Sequence, residues 1–127
     1  MTSSVDKTEF FRSVRAAGIK PGPIYEAIIE RLYREFLTPG DNVVDGGAHY
    51  GRHTFPLARA CAPGTVYAFE AAPPQMKKFL NALVKSGLQN VVPIPAALSK
   101  GTGVSEFHYV VDMPGISGLE ARPEIGA

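Results

Sequence analysis

One cysteine, Cys61, stands in 127 residues. The chain can therefore form no internal disulfide and no zinc knuckle, and a reducing compartment is expected. Charge of one sign is equally scarce: 13 Lys and Arg face 12 Asp and Glu, for a formal net charge of +1. Without a positive excess no field exists to hold nucleic acid or an anionic membrane surface, and neither partner is expected. No stretch approaches the roughly 20 apolar residues of a membrane span. The N-terminal run MTSSVDKTEFFRSVRAAG sets Asp6 among mixed charges, unlike the apolar core of a signal peptide, so a soluble, cytoplasmic chain is the expectation. No Gly-x-Ser-x-Gly elbow occurs, which removes the argument for a Ser-His-Asp hydrolase. His49 and His53 have the spacing of a helical metal pair, but no Asp or Glu lies between or just beyond them; no metal site is expected.

What is present suffices for a fold. Hydrophobic residues make up 45% of the chain and charged residues 20%, near the globular average and away from the composition of disordered chains. The length fits at most one domain of the usual size, roughly 100–150 residues. The 13 glycines and 11 prolines fall between periodic segments and punctuate short elements. Phe10, Phe11, Val14 and Ala17 recur at helical spacing from Thr8 to Ala17, with Gly18 as a stop. A second helix opens at Gly22-Pro23 and carries the stripe Ile24, Ile28, Leu32 and Phe36, ending at the turn Thr38-Pro39-Gly40-Asp41. Phe10, Phe11, Ile24, Ile28, Leu32 and Phe36 are expected in the core.

Beyond Asp41 the period changes. Asn42 to Asp45 reads as a short strand, followed by the glycine cluster GGAHYG and a helical pattern from His53 to Cys61. Thr65 to Glu70 is a second strand, β-branched and aromatic, with a carboxylate at its end. Pro73-Pro74 begins a helix with Met76, Phe79, Leu80, Leu83 and Val84 on one face, closed by Gly87. Lys77 and Lys78 are expected on its solvated side. Val91 to Ala97 is a third strand although Pro93 and Pro95 interrupt it. Val104 to Val111 reads as extended, and the residues after it show no period. Strand and helix alternate, so the class is α/β with a parallel sheet. In such sheets ligands bind beyond the carboxyl ends of the strands, where Asp45 to Gly51 and Glu70 both fall.

Gly46, Gly47 and Gly51 let a ligand approach the backbone. Glu70 lies 19 residues past Gly51, near the ~20-residue offset at which a carboxylate meets ribose hydroxyls. As a dinucleotide fingerprint the register is Gly46-x-Ala48-x-x-Gly51, which sets a methyl group where backbone must meet pyrophosphate and leaves Asp45 beside a diphosphate. As acid-x-Gly-x-x-x-Gly, with Asp45, Gly47 and Gly51, the loop suits S-adenosylmethionine, whose amine and sulfonium are positive and which has no phosphate. His49 is a candidate base, since an unperturbed pKa of about 6.5 suits proton transfer. Cys61 is expected to be a buried, inert thiol.

The runs VVDGGAHYGRHT, GTVYAFEAAPPQMKKF and NVVPIPAALS resemble the N-terminal half of an FkbM-type methyltransferase domain over roughly Leu37 to Leu119. The resemblance implies a Rossmann-like class I methyltransferase fold, truncated to about three parallel strands with flanking helices and an extra extended segment. It divides the chain into a helical segment, 1–40, and an incomplete methyltransferase domain, 41–127. It further implies that Asp45, Gly47, Ala48 and Gly51 form the first cofactor motif, with Gly46 and His49 in the same loop. Glu70 holds the ribose with Ala71 beside it, and Ala97 lies near the adenine. His49 stands where the family usually has Asn, and Ala71 where it has Pro. The implied activity is methyl transfer from S-adenosylmethionine to a hydroxyl of a small molecule or sugar, in a chain that can also be a homo-oligomer. Two other readings stay open: a non-catalytic fragment or cofactor-binding module, and a nicotinamide dinucleotide oxidoreductase.

Overall fold

The computed structural model of the chain describes residues 7–120. They fall into two compact units, one ending at Phe36 and the other beginning at Leu37.

The first unit holds two helices, α1 (Lys7–Ala16) and α2 (Pro21–Phe36). α1 ends as its glycine predicts, with the Gly18 N–H donating to the Arg15 carbonyl at 2.9 Å. α2 starts earlier than Gly22-Pro23 suggests, at Pro21. The amides of a first helical turn have no intrahelical partners, so both prolines fit there. Exposed i,i+4 pairs decorate the helix, Arg34 to Glu30 at 2.9 Å and Arg31 to Glu35 at 3.3 Å, each worth a few tenths of a kcal/mol at most. The core role expected of the Ile24, Ile28, Leu32 and Phe36 stripe is corrected by the structure. α2 has no buried residue, and Ile28, Leu32 and Phe36 are exposed. The ten residues of α1 are too few to cover the sixteen of α2. The side chains of Phe10 and Phe11, expected in the same core, lie outside those described.

The second unit carries the sheet. Its strands are β1 (Val43–Gly46), β2 (Val66–Phe69) and β3 (Val91–Ile94), with α3 (Thr54–Cys61) after the first and α4 (Pro73–Ser86) after the second. All pair in parallel in the order β1-β2-β3, Val43 opposite Val66 and Val66 opposite Val91. Parallel neighbours need a crossover, and each helix supplies one. Pro93 lies within β3, opposite Ala68; the sheet admits it because β3 is an edge strand, whose outer side needs no partner. Pro95 stops the strand at Ile94, short of the expected Ala97.

Ala68 of β2 packs with Ala48, Met76 and Phe79, and Phe55 and Val91 lie against them. The rings of Phe55 and Phe79 stack with centroids 5.9 Å apart, so α3 and α4 share one face of the sheet. On the other face the register aligns Val44, Tyr67 and Val92 in a row, and all three are exposed. α4 buries Gln75, Met76 and Phe79, while Leu80 and Val84, expected on the same side, point outward. The helix turns its Gln75 to Phe79 ridge to the sheet, and residues one position further round leave it. The Gln75 amide donates to the Tyr109 hydroxyl at 3.0 Å.

The Asn90 side-chain amide donates to the carbonyls of Ala58 and Gly64, both at 2.8 Å. It ties the end of α3, the turn behind it and the entry to β3. Cys61 is buried there, as expected; burial pushes its thiol up, with the charge of Asp41 adding to the effect and a backbone hydrogen bond opposing it. A raised thiol holds less of the thiolate, the nucleophilic form, at neutral pH. The extended segment expected from Val104 to Val111 forms no strand. A lone antiparallel bridge joins His108 to Gly118, and a 3-10 turn, Pro114–Ile116, sits between them where a loop was expected. Pro114 opens that turn because a first-turn proline needs no N–H. Residues 121–127 of the expected loop lie outside the described residues. No helix among the described residues is long and apolar enough to cross a membrane.

Candidate functional site

The loop after β1 sits at the carboxyl edge of the sheet, beside the end of β2. Gly47 takes φ +80°, and a Cβ placed there meets nothing within 4 Å. The space over this residue is open and its backbone can be approached. Gly46 has a different reason to be glycine. A Cβ there would lie 2.9 Å from Leu98 Cδ1, so the residue makes room for the chain's own leucine. His49 has φ +55°, the left-handed region in which Asn, Asp and His are enriched among non-glycine residues. A histidine can therefore stand where the resembled loop carries asparagine without changing the path of the backbone. Its ring meets Tyr50 edge-on, centroids 4.5 Å apart. Among the described residues no cluster of three or more His, Cys, Asp or Glu is placed to hold a metal ion.

The loop amides turn inward. Gly47 and Ala48 N–H both donate to the Phe69 carbonyl at 2.8 Å, and Gly51 N–H donates to the Ala48 carbonyl at 2.8 Å. His49 N–H donates to Glu70 Oε2 at 2.7 Å. A phosphate cradle presents such amides outward to the anion; here four of them are spent on the protein. Ala48 is buried, its methyl group in the core with Phe79, so it shapes the loop from beneath.

Glu70 is 7% exposed, and its other oxygen, Oε1, accepts the Ala72 N–H at 2.8 Å. The carboxylate clamps the glycine loop to the entry of α4. Each carboxylate oxygen accepts more than one hydrogen bond, so the clamp leaves Glu70 capacity to accept from a ligand. Asp45, at the end of β1, accepts a 2.6 Å hydrogen bond at Oδ2 from the hydroxyl of Thr54, a fully buried residue that opens α3. A hollow of about 400 Å³ runs along α4 and is lined by Glu70, Ala71, Pro73, Met76, Leu80 and Pro95 among others. Ala71 thus stands beside Glu70. Ala97 is exposed and outside that lining; its neighbour Leu98 is the residue that reaches the loop.

Sequence reasoning missed Thr54, the Ala72 amide and Leu98. The first has a usable signal, a hydroxyl residue opening the helix that follows an acid-glycine loop. The other two depend on where the chain folds back, which no local pattern carries.

No family model matches the chain, and no curated protein matches it. Solved structures do. A SAM-dependent O-methyltransferase from Thermotoga maritima is 27% identical and superposes with a TM-score of 0.54, over 65% of this chain and 31% of its own. An rRNA methylase from Streptococcus thermophilus is 25% identical with a TM-score of 0.52, over 56% of this chain and 38% of its own. A protein from Clostridium thermocellum described as an rRNA methylase, 23% identical with a TM-score of 0.54 over 56% and 41%, shares the fold. The chain spans about two fifths or less of the length of these proteins. Its three parallel strands and flanking helices have the Rossmann-like fold of the class I methyltransferases. Two of these neighbours are described by action on rRNA, so the fold by itself leaves nucleic acid open as a substrate.

Proposed function

We propose that the chain is the cofactor-binding part of an S-adenosylmethionine-dependent methyltransferase of FkbM type, acting on a hydroxyl oxygen of a small molecule or sugar. What favours this cofactor is the inward turn of the Gly47, Ala48, His49 and Gly51 amides next to the carboxylate of Asp45. A ligand over Gly47 finds no N–H array for a phosphate and an acid that complements positive charge. S-adenosylmethionine is such a ligand, and the dinucleotide reading loses its main support. The Thermotoga maritima neighbour is itself described as SAM-dependent.

In this reading Asp45 and the loop to Gly51 receive the methionyl end. Glu70 accepts from the ribose with its remaining lone pairs, Ala71 lies against the nucleoside, and Ala97 serves the adenine by the family resemblance. When bound, the cofactor supplies an electrophilic methyl group. The chain's part is to hold and orient, since transfer to a nucleophile gains most from near-attack geometry. His49 is the candidate to take the hydroxyl proton. The charge balance of 13 to 12 favours a small acceptor over RNA, whose binding rests on a positive surface. The 127-residue chain, given methyl-labelled S-adenosylmethionine with a panel of sugars and phenolic alcohols and with rRNA, is expected to label a hydroxylated small molecule. Label in the RNA alone would overturn the acceptor assignment, and a folded chain that binds no cofactor would overturn the assignment as a whole.

A further inference from the structure

The hydrogen bond between Thr54 and Asp45 joins two residues that sequence spacing does not pair. Thr54 is fully buried at the start of α3, and Asp45 is the residue before Gly46, the last of β1. The contact is 2.6 Å long, within the short range of hydroxyl-to-carboxylate bonds, which are about twice as strong as neutral ones. A β-branched side chain in a helix has few χ1 rotamers, so the donor is fixed before any ligand arrives. Oδ2 is held by that donor, and the other carboxylate oxygen accepts no hydrogen bond among the described residues. The carboxylate therefore cannot turn freely; one edge faces α3 and one edge is left to a partner of positive charge.

We infer that Thr54 is a positioning residue for the cofactor site: it fixes the rotamer of Asp45 so that the carboxylate receives the α-ammonium of the amino-acid end of S-adenosylmethionine. This rests on the reading of the loop given under Proposed function. Thr54 touches no ligand and acts only through Asp45. Its effect therefore belongs to the charged amino-acid end of the ligand and not to the nucleoside.

The test titrates the 127-residue chain calorimetrically with S-adenosylhomocysteine and with 5′-methylthioadenosine, which keeps the nucleoside and lacks the amino acid. Thr54→Val preserves shape and removes the hydroxyl; it is expected to weaken S-adenosylhomocysteine about tenfold, the scale of one charged hydrogen bond. Binding of 5′-methylthioadenosine should change by less than about twofold, and Thr54→Ser, which restores a hydroxyl, should recover most of the loss. In an Asp45→Asn background the same Thr54→Val change should cost almost nothing, because the charge it orients is gone. That cycle also covers the case in which Thr54→Val alone folds poorly, since far-UV circular dichroism can be compared in both backgrounds. Equal weakening of both ligands, or unchanged S-adenosylhomocysteine affinity in Thr54→Val, would overturn the inference while leaving the cofactor assignment standing. A parent chain that binds S-adenosylhomocysteine not at all would overturn the cofactor assignment itself, and the inference with it.

Discussion

Glu70 does two things with one carboxylate. It accepts main-chain N–H groups from His49 on one side and Ala72 on the other, and it faces the edge where a nucleoside is expected. Removing it strips partners from two amides and an acceptor from the ligand. Glu70→Ala should therefore lower the unfolding midpoint in a urea titration and, separately, weaken S-adenosylhomocysteine binding by ~1.5–3 kcal/mol. Unchanged affinity in a folded variant would take the ribose role away from Glu70 and leave only the clamp. Asp45, Gly47 and Glu70 were legible because each has a positional signal: Asp45 near a strand end, Gly47 in the glycine cluster that follows, Glu70 at the offset of a second strand end. Gly51 was read as open to a ligand too, but it is buried and a Cβ there would lie 2.6 Å from the Phe55 ring, so its bare backbone makes room for the first turn of α3. Leu98 was not legible, since a leucine after an edge strand acquires meaning only once the chain returns to the loop; Thr54 carries a readable signal, a hydroxyl opening the helix that follows an acid-glycine loop. Gly46 shows the same limit from the other side. Its sequence position suggests ligand approach, whereas its missing Cβ accommodates Leu98.

At the scale of elements, α3, α4 and the three strands follow their periodicity closely, and the differences have local causes. Pro95 cuts β3 short, and an edge position lets Pro93 stay. Segment 104–111 has the composition of a strand but finds no continuous partner, so only His108 pairs, with Gly118. The stripe of α2 is amphipathic on paper, yet burial needs a second surface, and amphipathicity does not say where one is. Asn90 joins separate elements with one side chain: its amide reaches the end of α3 and the following turn from the residue before β3. Asn90→Ala leaves two carbonyls without that donor and should destabilise the second unit by about 1–3 kcal/mol, read as a lower urea midpoint. A midpoint within error of the parent chain would mean that water replaces the amide at no cost.

The second unit is a parallel three-stranded sheet with α3 and α4 on one face, and its carboxyl edge is lined by an acid, an inward-turned glycine loop and a clamped glutamate. Strands such as VYAF and VVPI have the near-continuous apolar composition of sheets covered on both faces, and here Val44, Tyr67 and Val92 stand exposed on the second face. That composition was legible in the sequence, and the exposure was not. On the proposed reading this edge takes a phosphate-free nucleoside that carries an α-ammonium. That reading is tested most directly by calorimetric titration of the 127-residue chain with S-adenosylhomocysteine and, in parallel, with NADH. Saturable binding of S-adenosylhomocysteine and none of NADH is expected. Saturable binding of NADH, or no binding of either by a chain whose circular dichroism shows it folded, would contradict it.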